Sequence, residues 1–189
     1  MKNEKLLRRK KVRESRDSRG IKTFQIPGRA HMVKERFKII PTSHLILIKN
    51  NKILLIRRFN TGYEDGNYSV VAGHLDGNET FIQAMVREAK EEANIDLKPE
   101  DLEVVHVMHR KEPNEERIDF FIRANRWEGK PKNMEPHKCD DLDWFELDSL
   151  PKNIIPYVKQ GIDCFLNNVF YSERGWEKSS NSMNKMDYS

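Results

Sequence analysis

Cysteine is scarce in this chain: Cys139 and Cys164 are the only two in 189 residues, and they form no CxxC pair. Their separation argues against a disulfide framework and against a cysteine-built zinc site, and it suits a reducing cytosol. Long apolar runs are missing as well. No stretch approaches the roughly 20 residues that a membrane-spanning helix needs, so no membrane partner is expected, and the N-terminus lacks the apolar core of a secretion signal. Hydrophobic residues make up 37% of the chain and charged residues 34%, which is polar for a globular protein without being a disordered composition. A soluble cytoplasmic protein with one domain and tails is the expectation.

Charge is unevenly spread. The net +4 combines a basic arm, residues 1–31, holding eleven Lys or Arg against three acids, with a remainder holding 23 against 27. The arm, rich in Lys and Arg with little apolar periodicity, reads as flexible. Contact with nucleic acid through it is the sharp hypothesis, and a solvated tail is the plainer one. Met32 as an alternative start, or His31-Met32 as a cloning junction, would leave the arm without function. The domain is expected over residues 32–171, followed by a disordered polar tail over 172–189.

Within the domain, Ser43 to Lys49 and Ile53 to Arg58 are apolar β-type runs separated by Asn50-Asn51-Lys52, turn chemistry that joins hairpin strands. Arg57 and Arg58 end the second run, where one could reach an anionic substrate, although a solvent-facing strand end is the commoner use of such a pair. Tyr68 to Ala72 is a short buried strand. His106 and His109, three apart in a β run, would point to opposite faces and make poor co-ligands, so they read as packing or pocket-lining residues. Lys111 to Glu116 is a hairpin loop, Arg117 to Ala124 the returning strand, Lys130 to Asp141 a long aperiodic loop, and Leu142 to Leu147 a last strand. An apolar stripe through Ile154, Val158, Ile162, Phe165, Leu166 and Val169 predicts a helix to about Phe170.

The densest chemistry lies between Gly73 and Ile95, GHLDGNETFIQAMVREAKEEANI. Ile82, Met85, Val86, Ala89 and Ala93 form an apolar stripe, so this segment predicts a helix docked on a core. Glu88, Glu91 and Glu92 then share one face in an i, i+3, i+4 set whose carboxylates can converge. Hard oxygen ligands bordering a cleft suit Mg²⁺ or Mn²⁺, which bind through a few carboxylates and substrate phosphates. An acidic run of this kind is usually only a solvated helix face with Glu–Lys pairs. The full register is more specific: Gly73, five residues, Glu79, seven residues, then Arg87-Glu88-Ala89-Lys90-Glu91-Glu92.

That register resembles the Nudix box, the signature of hydrolases acting on nucleoside diphosphates linked to another group. The resemblance implies an α/β/α sandwich on a mixed β-sheet, with the motif confined to residues 73–95 and the element order extending over roughly 37–170. It implies metal binding by Glu88, Glu91 and Glu92, with a main-chain carbonyl at Ala72 or Gly73, and a loop-holding pair between Glu79 and Arg87. It places the general base at Glu88 or on a later-loop glutamate. Here the later candidate is Glu135, because WEGKPKNMEP resembles the segment after which some members carry that residue. Asn94 stands where the family has glycine, which requires a residue tolerant of the left-handed conformation. Val71-Ala72-Gly73 replaces the usual Pro-Gly-Gly, and Gly77-Asn78-Glu79 the usual Gly-Gly-Glu, without loss of a carboxylate.

Substrate choice lies outside the box. Asn153, in LPKNIIP, and Asp140-Asp141 resemble base-reading residues of purine-nucleotide members. The reading favoured by sequence is a Mg²⁺-dependent pyrophosphohydrolase of a (d)NTP, oxidised purines included, releasing the monophosphate and pyrophosphate. RNA 5′-end processing aided by the basic arm and a non-catalytic nucleotide-binding module are the alternatives.

Overall fold

The computed structural model describes residues 13–16, 22–25 and 36–176. Two units separate, 1–38 and 39–189. In the first, β1 (Arg13–Arg16) and β2 (Lys22–Gln25) pair antiparallel, with Arg13 opposite Gln25. This hairpin lies inside the arm expected to lack structure; Thr23 and Phe24 bring β-forming residues to it. The rest of the arm, and residues 177–189 of the expected tail, lie outside the described residues.

In the second unit the strands are β3 (Ile40–Ile46), β4 (Ile48–Lys49), β5 (Lys52–Arg58), β6 (Tyr68–Ser69), β7 (Ala72–His74), β8 (Leu102–Lys111), β9 (Glu116–Ala124), β10 (Cys139–Glu146) and β11 (Tyr171–Arg174). A five-stranded mixed sheet has the order β11-β8-β9-β3-β7. Its β11–β8 and β3–β9 pairs are parallel and the others antiparallel. A second sheet runs β10-β5-β4, with β6 also on β5. Among the described residues two α-helices, α1 (Phe81–Ala93) and α2 (Pro156–Leu166), complete the fold.

Strand alternation explains why the strands have helices on both sides. Leu45, Leu47, Leu54, Ile56 and Ile122 pack in one core with Met85, Ala89 and Ala93 of α1. Their sequence neighbours Ile46, Ile53, Leu55 and Phe121 pack in another core with Val158 and Ile162 of α2. Successive side chains leave a strand on opposite faces, so near-continuous apolar runs such as Ile53–Ile56 need cover on both. The result is the expected α/β/α sandwich.

Local signals set the boundaries. Asn50 and Asn51 both take positive φ (52° and 61°) in the turn that joins β4 to β5. Thr80 caps α1 in a reciprocal box with Gln83, and Asn94 ends it in the left-handed conformation at φ 55°. α2 starts later than the stripe suggested, because Ile155 donates its N–H to Tyr68 O (2.9 Å) and Pro156 takes the first helical position. Within α2 a Cβ added at Gly161 would overlap the Phe121 ring, so the helix lies hard against the sheet there.

One boundary is corrected. Residues 172–174, assigned to the polar tail, belong to β11, and Trp176 packs at a tilt against His109 (4.7 Å between ring centroids) while its indole N–H donates to His109 O. Strand β8 would otherwise present an unpaired edge, and β11 supplies its hydrogen bonds. His106, facing the other way, is buried between Val169 O (2.8 Å) and Ser172 Oγ (3.0 Å), which gives it the packing role expected.

Candidate active site

Helix α1 turns its apolar stripe to the core and leaves Arg87, Glu88, Glu91 and Glu92 along its border. Arg87 organises the acids. Its guanidinium donates to Glu79 (2.8 and 3.2 Å), Glu88 (2.6 Å), Glu91 (3.1 Å) and the carbonyl of His74 (3.1 Å). Held chiefly by this arginine, the Glu79 carboxyl lies below its ordinary pKa and also accepts the Asp76 N–H (2.8 Å), which fastens the glycine-rich loop to the helix. Burial raises the Glu88 carboxyl against the pull of Arg87. Gly73 lets Glu88 approach the loop: a Cβ there would fall inside the Glu88 carboxylate, which would have to move.

Glu92, partly exposed as a residue, turns its carboxylate inward to accept the Ala72 N–H (3.1 Å). Burial pushes its pKa up to about 8, with Glu88 and Glu135 adding to the rise. Glu135 arrives from the loop between β9 and β10. That loop covers the C-terminal end of α1, with Lys132 N–H donating to Ala93 O and Met134 N–H to Glu92 O, both 3.0 Å. Asn133 fixes its return by donating to Cys139 O (2.6 Å) and accepting the Glu135 N–H (3.0 Å). Lys138 holds the Glu135 carboxylate at 2.8 Å.

Glu92 and Glu135 open onto a cavity of about 460 Å³ that also borders Arg58, Ala72, Gly73, His74, Arg117, Lys138 and Tyr157. Pockets of roughly 300–1,000 Å³ accommodate small ligands. A depression of about 600 Å³ beside Lys49 and Trp127 is larger, but none of Gly73, Glu79, Arg87, Glu88, Glu91, Glu92 and Glu135 lines it. The smaller cavity is therefore the candidate site.

The acids do not form a closed cage: among the described residues no three His, Cys, Asp or Glu side chains are gathered as a ready-made metal site. The donor set nonetheless fits a hard cation. Glu92 has an inward carboxylate with a raised pKa, and Mg²⁺ keeps several waters and relies on substrate phosphates instead of a complete protein cage.

Of the expected substrate contacts, only Arg58 lines the cavity, oriented by Tyr63 O (2.8 Å) and Thr61 Oγ (3.1 Å). Arg57 is engaged by Asp140 in a two-pronged pair (2.7 and 3.1 Å). Asp141 accepts the Tyr68 hydroxyl (2.5 Å), and Asn153 donates to Gly66 O (2.7 Å). None of these four lines the cavity.

Sequence reasoning missed what stands opposite the acids. Arg117 Nη1 meets His74 Nε2 at 3.0 Å, and burial and then Arg117 lower the His74 pKa. Deeper in, Asp119 is fully buried between His44 Nε2 (3.2 Å) and Arg110 Nε (2.7 Å). Burial works to raise the Asp119 pKa, but these two partners hold it well below the ordinary range. Arg110 in turn lies over the Tyr157 ring at 3.8 Å. Three charged or titratable residues within apolar strand runs, His44, Arg110 and Asp119, were the available signal; they meet diagonally across β3, β9 and β8.

The family model of the NUDIX domain matches residues 40–163. ADP-ribose pyrophosphatase of Methanocaldococcus jannaschii is 32% identical over 114 residues, covering 60% of this chain and 66% of that protein. NAD-capped RNA hydrolase NudC of Stutzerimonas stutzeri is 24% identical over 137 residues, 72% of this chain and 46% of that protein. The chain thus spans about half to two thirds of the length of these relatives. Among solved structures, the MutT NUDIX hydrolase from Burkholderia pseudomallei has a TM-score of 0.62 and 25% identity, covering 67% of this chain and 97% of that one.

Proposed function

The chain belongs to the Nudix family, and from that premise we propose that it is a divalent-cation-dependent hydrolase cleaving the pyrophosphate bond of a nucleoside diphosphate-linked substrate. The observation that carries this reading is the gathering of Glu79, Glu88 and Glu91 on Arg87, beside the inward-facing Glu92 and Glu135 at the mouth of the cavity. Glu88, Glu91 and Glu92, with Glu135 and the Gly73 carbonyl, are the groups that would hold Mg²⁺ or Mn²⁺. When bound, such an ion neutralises the pyrophosphate and lowers the pKa of an attacking water.

The protein's own residues divide the remaining work. Arg58, Arg117 and Lys138 offer positive charge to the phosphates from the cavity wall. Arg87 spaces the carboxylates, and Gly73 lets Glu88 approach the loop backbone. Glu88 or Glu135 accepts the proton of the water.

The narrower choice of a (d)NTP loses the support of Asp140, Asp141 and Asn153, whose side chains are bonded within the protein. The names of the relatives favour a nucleoside diphosphate joined to a sugar or a second nucleotide. A second reading, removal of a nucleotide cap from RNA, is favoured by the NudC relatives together with the basic arm.

One panel tests these readings: ADP-ribose, NAD, NAD-capped RNA and (d)NTPs including oxidised purines, with Mg²⁺ or Mn²⁺ and with identification of products. The expected result is a nucleoside monophosphate from an NDP-linked member, abolished by Glu91→Gln or Glu92→Gln. Full activity in either variant overturns the metal assignment. Binding without turnover across the panel replaces the enzyme with a nucleotide-binding module.

A further inference from the structure

Two buried residues that line the cavity each carry a polar atom that bonds to nothing in the protein. Thr42 and His44 occupy alternate positions of β3 and therefore share a face, and both line the cavity. Thr42 is 5% exposed and His44 1%, and neither Thr42 Oγ1 nor His44 Nδ1 makes a hydrogen bond within the protein. A buried polar group without a partner costs roughly 1–3 kcal/mol, so two on one strand face, in residues lining one cavity, demand an explanation that packing does not supply. An apolar pair such as Val and Phe would fill the same space without that cost.

The chemistry of the two atoms is fixed by their surroundings. His44 Nε2 faces the ionised Asp119 carboxylate, which can only accept, so Nε2 carries the proton. In the neutral ring Nδ1 is then an acceptor. The Thr42 hydroxyl can both donate and accept. Flat surfaces adjoin them: the His44 ring stacks on Phe121 (4.8 Å between centroids) and meets the Tyr157 ring edge-on (5.7 Å). Arg110 and Asp119 hold the group rigidly from behind.

We propose that Thr42 and His44 form a recognition subsite for the nucleobase or other heteroaromatic ring of the substrate, reading an edge that carries an N–H donor beside a hydrogen-bond acceptor. The ligand N–H donates to His44 Nδ1 and the ligand acceptor takes the Thr42 hydroxyl proton. The subsite rests on the functional reading above only in its substrate: Glu92 and Glu135 line the same cavity, so a ring seated here keeps its phosphates in the cavity that holds these acids. A nucleobase and a nicotinamide carboxamide both present such an edge, and the ligand set below separates them.

The test compares the wild type with Thr42→Val and Thr42→Ser by calorimetric titration with ATP, GTP, UTP, CTP, ADP-ribose and NAD, with Ca²⁺ in place of Mg²⁺ and tripolyphosphate as the ring-free control. Thr42→Val removes the hydroxyl and keeps the shape, so its melting temperature should be unchanged or higher. Its affinity for the ring that is read should fall roughly 3- to 10-fold, the worth of one hydrogen bond, with tripolyphosphate binding unchanged and Thr42→Ser close to wild type. Loss for NAD but not for ADP-ribose identifies the carboxamide as the edge; loss for one nucleoside triphosphate identifies its base. Equal affinities of wild type and Thr42→Val for every ring-bearing ligand overturn the subsite, as does a wild type that binds none of them better than tripolyphosphate. Hydrolysis measured separately with Mg²⁺ keeps the two readings apart. Turnover indifferent to Thr42 refutes the subsite alone, and Thr42-dependent binding without turnover refutes the hydrolase alone.

Discussion

Replacing Glu92 with glutamine should stabilise the metal-free protein at neutral pH while abolishing hydrolysis. The carboxyl has an ordinary pKa of 4.5 and is pushed up to about 8 in the folded chain, chiefly by burial. Between those values the folded state binds the proton that the unfolded state has released. Stability is therefore greatest below pH 4.5 and declines as pH rises toward 8, the reverse of an ion-paired carboxylate. At pH 7 the accumulated cost is at most about 3 kcal/mol, and partial exposure of the residue draws it toward ~1 kcal/mol. The amide of Glu92→Gln can still accept the Ala72 N–H and carries no charge to desolvate. In EDTA at pH 7.5 the variant should melt several degrees above wild type, since about 1 kcal/mol shifts a chain of this size by roughly 2–4 °C. The gap should close at pH 4.5, and added Mg²⁺ should raise the melting temperature of the wild type more than that of the variant. Equal melting of the two proteins in EDTA at pH 7.5 would refute the claim that Glu92 is held against its solvation preference.

Four other substitutions probe the geometry. Gly73→Ala places a methyl group where the Glu88 carboxylate lies, and a displacement of about 1 Å there should lower kcat on the order of 100-fold with little change in KM; unchanged steady-state kinetics would mean that Glu88 is not positioned by this contact. Gly161→Ala drives a methyl group into the Phe121 ring and should cost about 1–3 kcal/mol in denaturant unfolding, with activity retained in the folded fraction. Glu88→Gln and Glu135→Gln should differ in the pH–rate profile: the variant lacking the general base loses the acidic limb, and the other keeps it at reduced rate. Two profiles that both keep that limb would exclude both residues as the base.

Much of the fold was legible because local signals agreed with the hydrophobic pattern. The α1 stripe, the Asn50-Asn51 turn and the left-handed Asn94 each followed from residue chemistry and took the expected form. Strand β11 was illegible from its own residues, since Tyr171–Arg174 has no apolar alternation and is recruited by the open edge of β8. The same contrast divides the candidate site. Arg87, Glu88, Glu91 and Glu92 lie within six residues of one helix, so helical spacing brought them together, and Glu79, in the loop before it, was placed by the family resemblance and is held by Arg87. The partnerships of Arg57 with Asp140 and of Asn153 with Gly66 span more than 80 residues and depend on how β5, β6 and β10 register. A charged residue near a site in sequence can thus be a structural pair, and only its partner decides.

Strand β3 explains how cleavage and selectivity can vary separately in this chain. Ser43, Leu45 and Leu47 point to the α1 side, where Ser43 Oγ donates to Phe81 O at 3.0 Å and ties the strand to the start of the acidic helix. Thr42, His44 and Ile46 leave the opposite face, toward α2 and the inner cavity. Edge strand β7 brings Ala72 and Gly73 beside His44 and Ser43, so Glu92 reaches the cavity and Glu88 the Gly73 backbone from one layer, while Thr42 and His44 line the cavity from the other. Because alternate residues of one strand serve the two layers, Thr42→Val should leave the Mg²⁺-induced rise in melting temperature intact, whereas Gly73→Ala, which displaces the Glu88 carboxylate, should reduce it. A loss of the Mg²⁺ response in Thr42→Val would show that the two layers are coupled through the strand.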